Sequence, residues 1–377
     1  MSIAGSRHEV TRRWIGEGRR FALATLIETV GSAPLDPGAT MLIDEHGAIE
    51  GSVTGGCVEG ALVAEANEVL SGGEPRVQTY GISDDDAAGV GLMCGGTVRV
   101  FVEDLRDEPA DVVDRVLETI QDGRPAAVAT LLDGPAAGSR MALVDGEQIG
   151  GFGVTELLDR TVGRDLRGAL DQAVTGVRRY GADGAAMGSD LRVHLQAYAT
   201  PPAMVIFGAI DFSVAVARLA GDLGYRVTIV DAREPFVKSA RFSDVAEVVV
   251  DWPDRYLEGR DLSDRDIVLV FTHDPKFDQP ALVAGLASGA GYVGALGSRR
   301  THAKRVERLR EAGVSDADIE RIAAPCGLDL GARTPAQTAV SIVAEVIARQ
   351  NARGGERLAE TSGAIHNRPE TRRVSTH

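Results

Sequence analysis

From Ala203 onward, short Val/Ile-rich runs alternate with amphipathic stretches, and this alternation constrains the fold more than any other feature of the sequence. AMVIF, residues 203–207, ends at Gly208, and Asp211 to Leu223 then carries the apolar spacing of a helix closed by Gly224. YRVTIVD (225–231), AEVVVD (246–251), DIVLVFT (266–272) and GYVGAL (291–296) follow as four more buried strands, with helices predicted over Asp278–Ser288 and Thr301–Ala312. Near-continuous apolar strands separated by helices imply a parallel sheet covered on both faces. The C-terminal half is therefore read as a Rossmann-like, doubly wound α/β domain. Thr334 as N-cap and Pro335 at the first helical position open a last helix running to about Asn351. The remainder, 352–377, is polar and aperiodic and reads as a disordered tail.

The first 200 residues read as a degenerate duplication. FALATLI (21–27) is echoed by AAVATLL (126–132), and MLIDEHGAIEG (41–51) by MALVDGEQIGG (141–151), each of the latter a hairpin with a glycine-containing turn. A helix follows in both copies, Val58–Leu70 and Glu156–Val174, and then RVQTYG and TVRVFVE in the first copy against VRRYG and LRVHLQ in the second. The expected architecture is an α+β domain of two similar β-β-α-β-β units preceding the Rossmann-like sheet. The divisions are 1–108 for the unit with the GGCVE and CGG motifs, 109–200 for the cysteine-free unit, 201–351 for the Rossmann-like domain and 352–377 for the tail. A length of 377 residues fits more than one domain.

Composition narrows the partners. The formal net charge is -15, which repels phosphate backbones and anionic lipid, so neither nucleic acid nor membrane is an expected partner. No apolar run reaches the roughly 20 residues of a membrane span, and MSIAGSRHEVTRRW lacks a signal-peptide core, so a cytoplasmic location is expected. Three cysteines, Cys57, Cys94 and Cys326, are too few for a disulfide framework and are expected as reduced thiols.

Two of those cysteines lie beside glycine pairs, in Ser52-Val53-Thr54-Gly55-Gly56-Cys57-Val58-Glu59-Gly60 and in Met93-Cys94-Gly95-Gly96, and the second copy has no cysteine at the matching places. Cys57 precedes a helix, where free backbone N–H groups and the helix dipole stabilise a thiolate or an anion. Glycines allow the positive φ that an anion-binding nest requires. Cysteine is also among the most commonly buried residues and glycine a common turn former, so both readings stay open. The absence of a Cys-x-x-Cys pair argues against structural zinc.

In open parallel sheets, ligands lie beyond the carboxyl ends of the strands. There this sequence places Gly208, Asp231 and Arg233, Asp251, His273 with Lys276, and the run Gly297-Ser298-Arg299-Arg300-Thr301-His302, an anion-binding helix start. Asp231 lies 23 residues after Gly208, near the spacing of a ribose-binding acid. The phosphate loop is nonetheless broken. GAIDFS has Ile210 and Ser213 where glycines belong, and Asp211 would repel a pyrophosphate. NAD(P) is thus not the expected ligand, and an NAD(P)-dependent small-molecule oxidoreductase is the alternative. A scaffold binding only its target enzyme is a third.

GSVTGGCVEG, MCGG, VIFGAIDFS, VDAREPF, THDPKFD, GALGSRRTHAKR and GLDLGARTP together resemble the XdhC/CoxI family of xanthine dehydrogenase accessory proteins over about residues 10–350. The resemblance implies a maturation factor that binds molybdenum cofactor (molybdopterin) as cargo. It would protect the cargo while a cysteine desulfurase partner helps replace an oxo ligand by sulfur, and deliver it to a xanthine dehydrogenase-type molybdenum hydroxylase. A cofactor-binding chaperone, expected as a homodimer, fits better than a turnover enzyme. By motif, Cys57 and Cys94 become the candidate metal ligands. The candidate cofactor-binding set is Gly55, Gly56, Cys57, Glu59, Cys94, Gly95, Gly96, Gly208, Asp231, His273, Lys276, Ser298, Arg299 and Arg300. Ile210 and Asp211 depart from a more glycine-rich family loop, and Cys326 stands where an aliphatic residue is expected.

Overall fold

The structure is a computed structural model describing residues 3–81, 96–105, 110–186, 188–238, 240–242 and 246–362. It divides into two compact units, Ala4–Thr200 and Pro201–Thr361. The expected boundary at 108 falls outside the described residues, as do Cys94 and Gly95 and the last fifteen residues of the expected tail, 363–377. Among the described residues no helix is long and apolar enough to cross a membrane.

The Ala4–Thr200 unit runs α1 (Ile3–Gly16), β1 (Phe21–Val30), β2 (Thr40–Asp44), β3 (Ile49–Gly51), α2 (Glu59–Leu70), β4 (Arg76–Tyr80), β5 (Thr97–Asp104), α3 (Ala110–Gln121), β6 (Ala126–Leu131), β7 (Arg140–Val144), β8 (Glu147–Gly150), α4 (Glu156–Asp171), β9 (Gly176–Tyr180) and β10 (Leu191–Tyr198). It contains two antiparallel sheets, ordered β3-β2-β1-β5-β4 and β8-β7-β6-β10-β9, so the strand order repeats strand for strand. Each repeat has five strands rather than the expected four, because the hairpin contributes two.

Register aligns the copies residue by residue. Thr25 lies opposite Thr40 and Phe101, and Thr130 lies opposite Arg140 and His194. Leu23 faces Glu103, and Val128 faces Gln196. Alanines line the face under each helix, Ala22 and Ala24 in one core and Ala127 and Ala129 in the other, where small side chains let a helix approach closely. On α2, Leu62, Ala66 and Val69 are buried; on α4, Val162, Leu166 and Ala169 hold the matching turns, one hundred residues on.

The Pro201–Thr361 unit runs β11 (Ala203–Phe207), α5 (Asp211–Asp222), β12 (Arg226–Val230), α6 (Glu234–Val237), β13 (Glu247–Val249), α7 (Pro253–Leu257), β14 (Ile267–Val270), α8 (Pro275–Ala287), β15 (Tyr292–Ala295), α9 (Arg299–Glu311), α10 (Asp316–Glu320), β16 (Ile322–Ala323) and α11 (Pro335–Gln350). Its parallel sheet is ordered β13-β12-β11-β14-β15-β16, the doubly wound order with its switch between β11 and β14. Alternate β11 residues serve opposite cores. Met204 and Ile206 pack with α5 and α11, while Val205 and Phe207 join the core that includes α8 residues, which is why the strand reads as continuously apolar. The sixth strand, β16, was not anticipated. Helices α8 and α9 begin three and two residues before their expected starts, because Asp274 accepts the Lys276 N–H and Ser298 accepts the Thr301 N–H as N-caps.

Candidate functional site

In the first copy, the segment from Ser52 to Val58 wraps around the carboxylate of Glu59. One oxygen accepts from Ser52 Oγ (2.5 Å), Val53 N (3.2 Å) and Thr54 N (3.0 Å). The other accepts from Thr54 Oγ1 (2.9 Å), Gly56 N (3.0 Å) and Val58 N (3.0 Å). Gly55 N donates to Ser52 Oγ, and Cys57 N and Val58 N both reach Thr54 Oγ1. Every backbone N–H from Val53 to Val58 is therefore used within the segment. The expected nest exists, but its anion is Glu59. The N–H groups expected to serve a thiolate or phosphate are already engaged. Burial acts to raise the Glu59 pKa and is outweighed by the hydrogen bonds from Ser52 and Thr54, which bring it down to about 2.

Gly55 (φ +77°) and Gly56 (φ +119°) supply the turn, and a Cβ on either would meet nothing within 4 Å. Cys57 is half-buried, a free thiol packed against the edge of the first-copy core. Gly96 serves packing, since a Cβ there would fall 2.1 Å from the Ser32 carbonyl oxygen. Among the described residues no group of three His, Cys, Asp or Glu side chains could hold a metal ion. Cys326 is buried, and burial together with Glu345 pushes its thiol pKa up to about 12.

In the other unit, the carboxyl edge of the parallel sheet separates its candidates into two groups. Around the switch, Asp231 is 3% exposed and committed within the chain. It accepts from Ala209 N (2.9 Å), Arg233 N (3.0 Å) and both arms of the Arg233 guanidinium (2.9 and 2.7 Å). Burial alone would raise its pKa; Arg233 and the Ala209 N–H outweigh that and hold it low. Gly208 takes φ +117° with the Phe271 and Thr272 backbone 3.2–3.3 Å from where a Cβ would lie. Asp211, in the first turn of α5, pairs with Arg241 at 2.7 Å.

One strand further, an open cleft of about 530 Å³ is lined by His273, Gly297, Ser298, Arg300, Thr301, Lys304 and Arg308. These lining residues include three cations and no carboxylate, in a chain of net charge -15. His273, Ser298 and Arg300 were expected there. Arg299 and Lys276 do not line it, and Lys276 instead pairs with Asp274 (3.4 Å) over the Phe277 ring. Gly297 and Thr301 belong to the expected helix start; Lys304 and Arg308 were missed, although Arg300, Lys304 and Arg308 recur every fourth residue and so share a helix face. Beneath them, Arg305 and Asp278, each 1% exposed, form a two-armed ion pair at 2.8–2.9 Å, and Arg308 reaches the same carboxylate at 3.3 Å. That buried pair fixes the helix beneath the cleft. A helix N-terminus with Arg300 and Lys304 on its exposed side, and Arg308 shared with Asp278 at the cleft wall, suits a phosphoryl or similar anion.

Comparison with known proteins agrees with this architecture. The model of the XdhC Rossmann domain matches residues 204–346, and that of the XdhC and CoxI family matches residues 14–81. The chain is 25% identical to a probable xanthine dehydrogenase subunit from Bacillus subtilis, covering 91% of this chain and 97% of that protein. It is 28% identical to the molybdenum cofactor insertion chaperone PaoD of Escherichia coli, over 87% of this chain and 83% of the chaperone. A crystal structure described as a xanthine dehydrogenase from Bacillus halodurans superposes with a TM-score of 0.69 at 25% identity, covering 96% of this chain and 98% of that one. With one family model on each unit and relatives aligned across both, the chain belongs to the XdhC and CoxI family.

Proposed function

We propose that this protein binds molybdenum cofactor as cargo, supports its sulfuration with a cysteine desulfurase, and delivers it to a xanthine dehydrogenase-type molybdenum hydroxylase, working as a homodimer. The observation that carries the reading is the carboxylate-free cleft of His273, Arg300, Lys304 and Arg308, on the side of the sheet where doubly wound folds hold ligands. It matches the anionic end of such a cargo, and the chaperone relative is named for inserting that cofactor. Cys57, and Cys94 outside the described residues, offer soft sulfur ligands to the metal. NAD(P) is not expected to bind. The two Asp231 oxygens that would hold a ribose already accept four hydrogen bonds from the chain.

The test is mass spectrometry of pterin retained by protein co-expressed with cofactor synthesis. Wild type should retain it, and Arg300→Ala with Lys304→Ala should weaken affinity more than tenfold, or about 1.4 kcal/mol. Cys57→Ala with Cys94→Ala should lower retention while the circular dichroism spectrum stays unchanged. Equal occupancy in wild type and both double variants would overturn the assignment of these residues. A calorimetric dissociation constant for NAD or NADP in the low micromolar range would overturn the exclusion of dinucleotide.

A further inference from the structure

The Ala4–Thr200 unit holds a second candidate site, independent of the cargo role. A partly enclosed cavity of about 90 Å³ lies against strands of both five-stranded sheets and against α3, with 19 lining residues. The two copies contribute through equivalent positions: Thr25 and Thr130, Phe101 and His194, Thr40 and Arg140. Substitution within these pairs has made the cavity chemically lopsided. Where the first copy has a phenyl ring the second has an imidazole, and where the first has a threonine hydroxyl the second has a guanidinium.

Three observations define what the cavity can hold. First, His194 is 2% exposed, and its Nε2 is shut away from solvent with no hydrogen-bond partner. A buried polar atom in that state is destabilising unless something in the cavity bonds to it. Second, the charges cancel. Arg140 meets Glu103 at 2.5 Å, both under 10% exposed, and burial together with Arg140 keeps His194 neutral near pH 7. A net charge added there would be desolvated without a counter-ion. Third, ten of the 19 lining side chains are apolar, Phe101 presenting an aromatic ring among them, which is the make-up of a ligand pocket. Since an apolar cavity of about 150 Å³ holds benzene, a cavity of about 90 Å³ admits a ligand of roughly four or five heavy atoms.

We infer that this cavity binds a small uncharged ring compound, a five-membered heterocycle with one N–H group, whose polar edge meets His194 Nε2 and whose apolar part lies among Phe101 and the aliphatic wall. Pyrazole is the probe. It is neutral at pH 7, planar, and carries one donor beside one acceptor. Thiophene, of similar shape but without the N–H group, is the control.

Pyrazole should raise the melting temperature of the full chain and appear between the two sheets in crystals soaked with it, and thiophene should bind at least tenfold more weakly. His194→Phe, which installs the residue of the first copy, should reduce pyrazole affinity at least tenfold. His194→Gln, which keeps a polar atom there, should retain part of it. Pyrazole and thiophene binding equally to the wild type, or soaked crystals with only ordered water in the cavity, would overturn the inference. Both readings use the wild-type protein, so they hold even if a variant fails to fold. Loss of pterin retention at Arg300 and Lys304 leaves this result untouched, so the two assignments fail separately.

Discussion

The two sheets of the Ala4–Thr200 unit share one strand order and differ most where each hairpin hands over to its helix. In the second copy the handover is ordinary. Thr155 caps α4 by accepting the Leu158 N–H, and Asp159 accepts the Phe152 N–H at 3.1 Å. In the first copy Glu59, at the position equivalent to Asp159, collects six hydrogen bonds from a loop containing Gly55 and Gly56, and Cys57 stands where the second copy has the exposed Leu157. A duplicated fold thus kept one plain helix start and turned the other into a rigid loop presenting a thiol. The carboxylate shapes the loop, and the cysteine is what the loop carries.

The largest expected effect tests that division. Glu59→Ala should destabilise the unit by on the order of 3 kcal/mol, since it strands several half-buried N–H groups, whereas Asp159→Ala should cost about 1 kcal/mol. Urea titration followed by Trp14 fluorescence in a Trp252→Phe background reads this unit, because Trp14 lies in it, 2% exposed. The sign with pH follows from the depressed pKa. Glu59's contribution is fully present above its ordinary value of 4.5 and is lost as pH falls toward about 2, so wild type and Glu59→Ala should converge there. Equal costs for Glu59→Ala and Asp159→Ala would remove the contrast between the copies.

Much of this was legible from residues alone, and what was missed shares a cause. The AMVIF strand and the helix opened by Thr334-Pro335 occupy their expected positions, because a run apolar on both faces and a capped Pro start are local signals. Strand β16 has two residues, too few for any periodicity. Glu59 was picked out with its motif, but that it is itself the nest's anion depends on side-chain geometry, which no spacing reveals. Arg300 stood out at a helix start; Lys304 and Arg308, one and two turns further along the same helix, were not singled out although their spacing was readable. The inter-sheet cavity could not be read at all, since His194, Phe101 and Arg140 are far apart in the chain and meet only through tertiary packing.

The next effect concerns the Phe101–His194 pair. His194 is held neutral, its pKa lowered from 6.5 to about 4 by burial and by Arg140. The unfolded chain takes up a proton between those values and the folded chain does not, so stability rises from pH 4 to pH 6.5 and is complete above 6.5. Arg140 is the charge acting on the imidazole, and Glu103, Gln196 and Tyr198 line the same cavity. His194→Phe makes the two copies alike here and should flatten the rise, as seen by comparing urea midpoints of wild type and variant at pH 4.5, 5.5 and 7. Parallel slopes in the two proteins would show that His194 titrates normally.

The smallest effect compares one glycine from each copy, two residues apart in register but alike in backbone conformation and in the open space around them. Gly55 (φ +77°) and Gly153 (φ +68°) both sit in the left-handed region, both precede the helix, and a Cβ on either meets nothing within 4 Å. Alanine at each should therefore cost only the backbone penalty, about 1 kcal/mol, and the two variants should be equally destabilised. Any difference in function then belongs to the loop rather than to the fold. If the first-copy loop holds the cargo against Cys57, Gly55→Ala should lower pterin retention severalfold while Gly153→Ala leaves it at the wild-type level. Retention falling equally in both would trace the loss to stability, and the open space above Gly55 would then have no part in binding.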